Sequence, residues 1–110
     1  MDKPTTAAEM MRGLPQAFLP DKAGGTKAVI QVNLTGEGGG NWIVDVADGK
    51  CQVSEGTATS PRATITAGAA DYLAIGLGQL NAVSAFMAGK VKVTGDMALV
   101  MSFQNWFAKP

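Results

Sequence analysis

The sequence has no histidine and only one cysteine, Cys51, among its 110 residues. Without histidine, neither a Ser-His-Asp nor a Cys-His catalytic arrangement can form, and an imidazole metal site is excluded as well. A single cysteine permits no intramolecular disulfide and no CxxC motif, which fits a reducing compartment. We therefore expect no metal site and a cytoplasmic location.

Charge is also scarce, since charged residues make up 16% of the chain and nine basic residues balance nine acidic ones. A neutral chain provides no long-range attraction for phosphate backbones or anionic lipid surfaces, so we expect no nucleic-acid partner and at most weak, transient membrane contact. No apolar run approaches the length of a membrane span, and residues 1–6 lack the apolar region of a signal peptide. With 46% hydrophobic residues, the sequence predicts one globular domain over residues 1–110.

The first third of the chain predicts a short helix followed by a β-meander. Thr6 and Glu9 have the spacing of a capping box, and Pro15 should end or kink the helix. The segments that follow are interpreted as an apolar turn at residues 18–21 and a flexible connector at residues 22–25. Strict alternation predicts strands at residues 29–35, 42–47 and 63–67, with a short strand around Cys51 between them. Asp48-Gly49 predicts a two-residue hairpin turn.

The last third changes to the helical period. One helix is predicted over residues 69–77, and a second begins at an Asn81 cap, contains Val83, Phe86 and Met87, and ends at Gly89. Residues 90–94 alternate as a strand, and Asp96 caps a C-terminal helix predicted to run to Phe107. These elements predict an α+β domain.

The C-terminal helix has more apolar surface than packing on one sheet requires, because Met97 and Met101 extend the stripe of Leu99, Val100 and Phe103. The surplus would face a ligand cavity, a partner subunit or further core. Elsewhere, Asp71 and Tyr72 form an acid and phenol pair of the kind used in proton abstraction, although a first-turn acid and a packed ring are the simpler interpretation. Cys51 has no neighbouring base and is interpreted as a small buried residue.

The stretch from Asn81 to Leu99, NAVSAFMAGKVKVTGDMAL, closely resembles the C-terminal signature of the sterol carrier protein 2 (SCP-2) family. That signature is an AFM-x-GK stretch with alternating lysine and apolar residues, followed by GDM and an apolar helix. Residues 28–31, 36–42 and 46–51 are similar to the family's meander, and the likeness extends over residues 6–107. The compact chain looks like the stand-alone bacterial and archaeal members, and its last three residues differ from a serine-lysine-leucine peroxisomal signal.

The resemblance implies a five-stranded, mostly antiparallel sheet with helices on one face and an apolar tunnel between them. The tunnel would hold sterols, fatty acids, fatty acyl-CoA or phospholipids, without a cofactor or catalytic residue. We expect its walls to include Ile30, Val32, Val44, Ile65, Leu73, Leu77, Phe86, Met87, Val93, Met97, Val100, Met101, Phe103 and Trp106.

Three functions remain open from the sequence. The leading one is non-enzymatic lipid binding, which extends to transfer between membranes, by a monomer or weak dimer. The alternative is an interaction or dimerisation module that uses the apolar C-terminal helix. An isomerase that uses Asp71 and Tyr72 is a distant third.

Overall fold

A computed structural model describes residues 5–107 of the chain. It contains five helices and five strands within that range. In chain order they are α1 Ala7–Ala17, α2 Pro20–Ala23, β1 Ala28–Thr35, β2 Gly40–Ala47, β3 Lys50–Glu55, β4 Ala63–Gly68, α3 Ala69–Gly76, α4 Ala82–Met87, β5 Val91–Gly95 and α5 Met97–Phe103. The predicted α+β class and the order of the strands are confirmed, and α2 replaces part of the segment predicted as turn and connector.

The five strands form one sheet in the order β3-β2-β1-β4-β5. The β1–β2, β2–β3 and β4–β5 pairs are antiparallel, whereas β1 and β4 are parallel. The sheet is therefore mostly antiparallel, as expected. The parallel pair arises because the chain leaves the edge strand β3 and crosses to the far side of β1 before it begins β4.

The alternation in the sequence places the apolar side chains on one face of the sheet. Ile30 is opposite Val44 and Ala63, Val32 is opposite Trp42 and Ile65, and Ile65 is opposite Val93. Ile30, Val32 and Val44 have no exposed surface. Residues from α1, α3 and α5 join these side chains in one hydrophobic core, so the predicted strand register and the helix-covered face are confirmed.

The opposite face of the sheet contains a buried amide that the alternation did not reveal. Gln31 is 2% exposed, because the segment that connects β3 to β4 crosses over it. Its side-chain amide donates to Gly56 O at 3.0 Å and to Asn33 Oδ1 at 2.9 Å, and its carbonyl oxygen accepts from Ala58 N–H at 2.7 Å. The amide therefore replaces the water that the crossing segment displaces.

Local signals at the ends of the elements are largely confirmed. The Thr6 hydroxyl oxygen accepts a hydrogen bond from Glu9 N–H at 3.1 Å, and the Glu9 carboxylate accepts one from Thr5 N–H at 3.0 Å. Asn81 and Asp96 cap α4 and α5 through their side chains. Asp48 and Gly49 have φ of 54° and 74°, the left-handed pair that a two-residue hairpin turn needs.

The ends of three elements differ from the prediction. Of the two outcomes predicted for Pro15, the end of the helix does not occur, since α1 continues to Ala17; a proline near the C-terminal end removes only one helical hydrogen bond. Residues 22–25 are not a flexible connector: Ala23 ends α2 and is buried, and Gly24 forms a left-handed cap that donates to Pro20 O. The C-terminal helix ends at Phe103 and not at Phe107.

The early end of α5 has a tertiary cause. The N–H groups of Asn105 and Trp106 donate to carbonyls only three residues back, and Leu19 N–H donates to Trp106 O at 2.6 Å. Phe107 forms a β-bridge with Phe18, and their ring centroids are 5.7 Å apart. The pairing draws the chain out of the helical path and buries Trp106. Residues 1–4 and 108–110 of the predicted domain lie outside the described residues.

Candidate functional site

The predicted site residues divide into three groups by burial. Six are buried, four are half-buried, and four are exposed. The buried ones are Ile30, Val32, Val44, Ile65, Phe103 and Trp106; the half-buried ones are Leu73, Leu77, Val93 and Val100; and the exposed ones are Phe86, Met87, Met97 and Met101. The predicted set therefore includes both closely packed core and open surface.

The buried group forms part of the packed core. On the strands, Ile30, Val32 and Val44 are covered on the helix side, and α1 packs against the edge strand β3. Met11 of α1 is completely buried among them. At the other end, the Phe103 ring lies 5.8 Å from that of Trp106 in an edge-on arrangement. These residues give the sheet a rigid apolar floor.

The exposed group lies on two short helices next to the edge strand β5. Val83, Phe86 and Met87 of α4 are 51%, 39% and 78% exposed, and Met97 and Met101 of α5 are 40% and 47% exposed. We call these five residues the apolar edge. Val83 was not among the predicted site residues, although its spacing of three and four from Phe86 and Met87 places all three on one side of a helix.

The half-buried group lies between the floor and the apolar edge in exposure. Leu73 and Leu77 belong to α3 and its C-cap, Val93 to the helix-covered face of β5, and Val100 to α5. Val100 packs against the core. These side chains are apolar and only partly withdrawn from water.

The acid–base candidates have a different character. Burial, with a smaller contribution from Asp45, raises the pKa of the Cys51 thiol from 9.0 to about 11. Burial also raises the pKa of Tyr72 far above its ordinary value, with a further contribution from Cys51. Both groups stay protonated near neutral pH, so the thiol is not activated and the phenol is a poorer proton donor than usual. Asp71 lies in the first turn of α3, where a carboxylate favours the helix.

Two surface pockets lie largely outside the groups just described, within residues 5–107. One, of about 480 Å³, lies beside α2 and α5 and is bordered by Lys22, Lys27, Arg62 and Asp96. The other lies on the outer side of the β2–β3 hairpin around Asp45, Asp48 and Lys50. Of the predicted site residues, only Trp106 borders either pocket.

Neither a membrane-spanning helix nor a metal cluster occurs within residues 5–107. No helix in that range is both long enough and apolar enough to cross a membrane. Acidic residues and the cysteine do not gather there in groups of three or more that would hold a metal ion.

Sequence comparison relates most of the chain to one family. The model of the SCP-2 sterol transfer family matches residues 10–108. Human sterol carrier protein 2 is 42% identical over 69 residues, which are 63% of this chain and 13% of the human protein. Hydroxysteroid dehydrogenase-like protein 2 of Xenopus tropicalis is 32% identical over 81 residues, which are 73% of this chain and 19% of that protein. The chain thus spans less than a fifth of the length of either relative.

Structural comparison gives the same result. Sterol carrier protein 2 like 2 from Aedes aegypti superimposes with a TM-score of 0.74 at 29% identity, over 90% of this chain and 91% of that one. The solution structure of palmitated SCP2L2 from the same mosquito gives 0.73 at 30% identity, over 90% and 88%. The sec-alkylsulfatase Pisa1 from Pseudomonas sp. gives 0.80 at 17% identity over 89% of this chain and 16% of that one, and at that identity the likeness concerns the fold alone.

Proposed function

We propose that this chain, which belongs to the SCP-2 sterol transfer family, binds the apolar chain of a lipid between its sheet and the helices α3, α4 and α5. In this proposal residues 1–110 act as one lipid-binding domain. The ligand would lie on the apolar floor of the sheet, beside the half-buried Val93 of β5, and under the half-buried Leu73, Leu77 and Val100 of the helices.

The observation that supports this proposal is the uneven burial of apolar side chains. A domain that had filled its own core would leave fewer large apolar residues half-buried, and the apolar edge adds five exposed ones on α4 and α5. Each methylene of an acyl chain moved from water into such surroundings gains about 0.8 kcal/mol. A bound lipid would cover the apolar side chains that the protein itself leaves partly exposed.

The composition of these walls suits ligands of varied shape. Met87, Met97 and Met101 have flexible thioether side chains, which adapt to different apolar surfaces. Apolar walls without specific polar contacts distinguish ligands by only about 1–3 kcal/mol per methylene. The ligands we propose are therefore a class, comprising sterols, fatty acids and fatty acyl-CoA, and not one compound.

One relative supports the acyl ligands directly. The SCP2L2 domain of Aedes aegypti, 30% identical over 90% of this chain, has been solved in a palmitated form. The match extends over nearly the whole of both chains, so the likeness includes the helices that would cover a ligand here. We therefore propose a fatty acyl chain among the ligands of this chain.

Further parts of the proposal concern how the protein acts. It binds lipid without catalysing a reaction, and the raised pKa values of Cys51 and Tyr72 make these two groups poor acid–base catalysts. It contacts membranes weakly and transiently during transfer, acts as a monomer or weak dimer, and works in the cytoplasm, where its buried free thiol is stable.

The dimerisation module is not proposed, because it depended on a longer C-terminal helix. The helix α5 has seven residues, and two of its apolar side chains, Leu99 and Phe103, are buried in the protein's own core. Only Met97 and Met101 remain on its exposed side. The surface available to a partner helix is therefore much smaller than the sequence predicted.

Native mass spectrometry of freshly purified protein, followed by organic extraction, tests whether lipid is bound. Two tryptophan substitutions then test where the lipid binds. Val93→Trp fills the helix-covered side of β5. Thr94→Trp, the control, places the same ring on the opposite face, where Thr94 is paired with Thr64. We expect the dissociation constant for a fluorescent fatty acid to rise at least tenfold in the first variant and to stay unchanged in the second.

Two results would contradict the proposal. One is a parent protein without extractable lipid or saturable fatty-acid binding, and the other is equal binding by the two tryptophan variants. Thermal melting of both variants shows whether they are folded. If Val93→Trp unfolds the protein, Leu77→Trp at the end of α3 tests the same space from the helix side.

A further inference from the structure

The methionines within residues 5–107 are divided between two environments. Met10 and Met11 of α1 are 8% and 0% exposed. Met87 of α4 is 78% exposed, and Met97 and Met101 of α5 are 40% and 47% exposed. The first two side chains are withdrawn from water, and the other three present their thioether sulfurs on the apolar edge.

The exposed methionines lie on the two helices that contact the edge strand β5. Met87 is the last residue of α4, and Met97 is the first residue of α5. Met101 follows Met97 by four residues, the spacing that places two side chains on the same side of a helix. The fold therefore brings residues from the end of one helix and the start of the next to the same edge of the sheet.

An exposed thioether is open to a two-electron oxidation by hydroperoxides, ROOH. The sulfur takes the outer oxygen, so that the O–O bond breaks and an S–O bond forms, and the proton of that oxygen passes to the departing RO⁻, which leaves as ROH. The sulfur is oxidised and the hydroperoxide is reduced. The product, methionine sulfoxide, is polar where the thioether was apolar, and methionine sulfoxide reductases reverse the change. With a dithiol as reductant, the oxygen leaves as water and the dithiol becomes a disulfide.

The one thiol of the chain does not compete for this oxidant. Cys51 is 7% exposed, and burial raises the pKa of its thiol to about 11. The thiolate is the form that hydroperoxides oxidise, and susceptibility follows thiolate character and exposure. A buried, protonated thiol therefore reacts slowly, and oxidation is directed to the exposed methionines.

We propose that the apolar edge is a methionine oxidation site, at which hydroperoxides convert Met87, Met97 and Met101 to sulfoxides and thereby lower the affinity of the domain for lipid. This inference rests on the proposed lipid-binding function and adds a regulation of the same site. Sulfoxides would replace adaptable apolar walls with polar groups, which need hydrogen-bond partners that an acyl chain lacks. The three side chains lie outside the packed core cluster, so their oxidation leaves the domain folded.

Peptide mapping by mass spectrometry after treatment with hydrogen peroxide locates the oxidised sulfurs. We expect the rate of sulfoxide formation to follow exposure, with Met87 first and Met101 and Met97 next. Met10 and Met11 should react at least tenfold more slowly than these three. Equal rates at all five positions would overturn the inference, because they would show that the exposed methionines are not selected.

The affinity of the oxidised protein for the fluorescent fatty acid tests the effect on the ligand. We expect the dissociation constant to rise at least fivefold, the thermal transition to stay cooperative, and the affinity to return after treatment with dithiothreitol and the two reductases, one for each sulfoxide epimer. Unchanged affinity, or loss of binding through unfolding, would overturn the inference and leave the lipid-binding function intact. Untreated protein that binds no fatty acid would contradict that function, and the inference with it.

A triple variant without sulfur at the apolar edge separates the methionines from other effects of peroxide. Met87→Leu, Met97→Leu and Met101→Leu together keep the edge apolar, and the dissociation constant of this variant should be the same before and after peroxide. Met10→Leu, a volume-conserving change at a buried methionine, is the matched control and should lose affinity on oxidation as the parent does. Equal losses in the parent and the triple variant would overturn the inference.

A second triple variant tests polarity without any oxidant. Met87→Gln, Met97→Gln and Met101→Gln together place polar side chains at the three positions and should raise the dissociation constant at least fivefold in untreated protein. Unchanged affinity in this variant would contradict the inference, because polar groups at the apolar edge would then not weaken lipid binding.

Discussion

The two ends of the sheet differ in how completely helices cover them. At one end, α1 packs against β3, and Met11, Ile30 and Val44 have no exposed surface. At the other end, the apolar edge on α4 and α5 leaves Met87 78% exposed beside β5. We call these the closed end and the open end. The closed end has the packing of an ordinary core, and the open end has apolar surface without enough protein to cover it.

The difference follows from helix length and position. The eleven residues of α1 place four buried side chains on the core, and a Cβ on Gly76 would overlap the Met10 side chain, so α1 and α3 are in close contact. The helices of the open end have six and seven residues, and each buries only one or two side chains. Short helices have little intrinsic stability. In the proposed function, the open end is therefore the part whose side chains would move to admit a ligand at the lowest cost.

The largest expected effect comes from one substitution made at both ends. Met11→Ala removes a fully buried side chain and should lower the free energy of unfolding by about 2–5 kcal/mol. Met87→Ala removes an exposed one and should change it by less than about 0.5 kcal/mol. Urea denaturation of the two variants measures both values. Equal destabilisation by Met11→Ala and Met87→Ala would contradict the difference in packing between the closed end and the open end.

A smaller effect is expected at the buried amide of the closed end. Gln31→Leu leaves Ala58 N–H and Gly56 O without their partner, at a cost of about 1–3 kcal/mol. Gln52→Leu, on an exposed position of β3, is the matched control and should be nearly neutral. Faster hydrogen exchange at Ala58 in the first variant alone would show that the amide holds the crossing segment. Unchanged stability would mean that water substitutes for the amide.

The smallest effect concerns the buried thiol. Since the pKa of Cys51 is about 11 in the folded protein against 9.0 for the free thiol, the unfolded chain loses its proton first as the pH rises. The thiol's contribution to stability is complete below pH 9 and is lost between about pH 9 and 11. We expect a decline on the order of 1 kcal/mol over that range.

Urea denaturation at pH 8 and pH 10.5 measures this decline. The Cys51→Ala variant lacks the thiol but keeps Tyr72, so it separates the two titrations. If the parent protein and the variant lose the same free energy of unfolding between the two pH values, the thiol is not buried as described. That result would also contradict tight packing at the closed end.

Much of the fold was predictable because its signals are local. Alternation fixed the face of Ile30, Val32 and Ile65, since successive side chains of a strand point to opposite sides. The caps at Thr6, Asn81 and Asp96 were predictable because a side-chain oxygen satisfies an amide only two or three residues away. The turn at Asp48-Gly49 was predictable because few residue pairs accept positive φ twice.

The sequence by itself determined which residues are apolar, which face of each strand they occupy and where most helices begin. Only the tertiary structure decided that α5 ends at Phe103, because Phe107 pairs with Phe18, and that Gln31 is buried, because a segment 25 residues away crosses it. The pocket beside α2 and α5 likewise joins residues 22–27 with residues 62 and 96–106. The physical reason is the same in each case: periodicity and caps depend on neighbours in the chain, whereas burial and charge clustering depend on which distant segments meet.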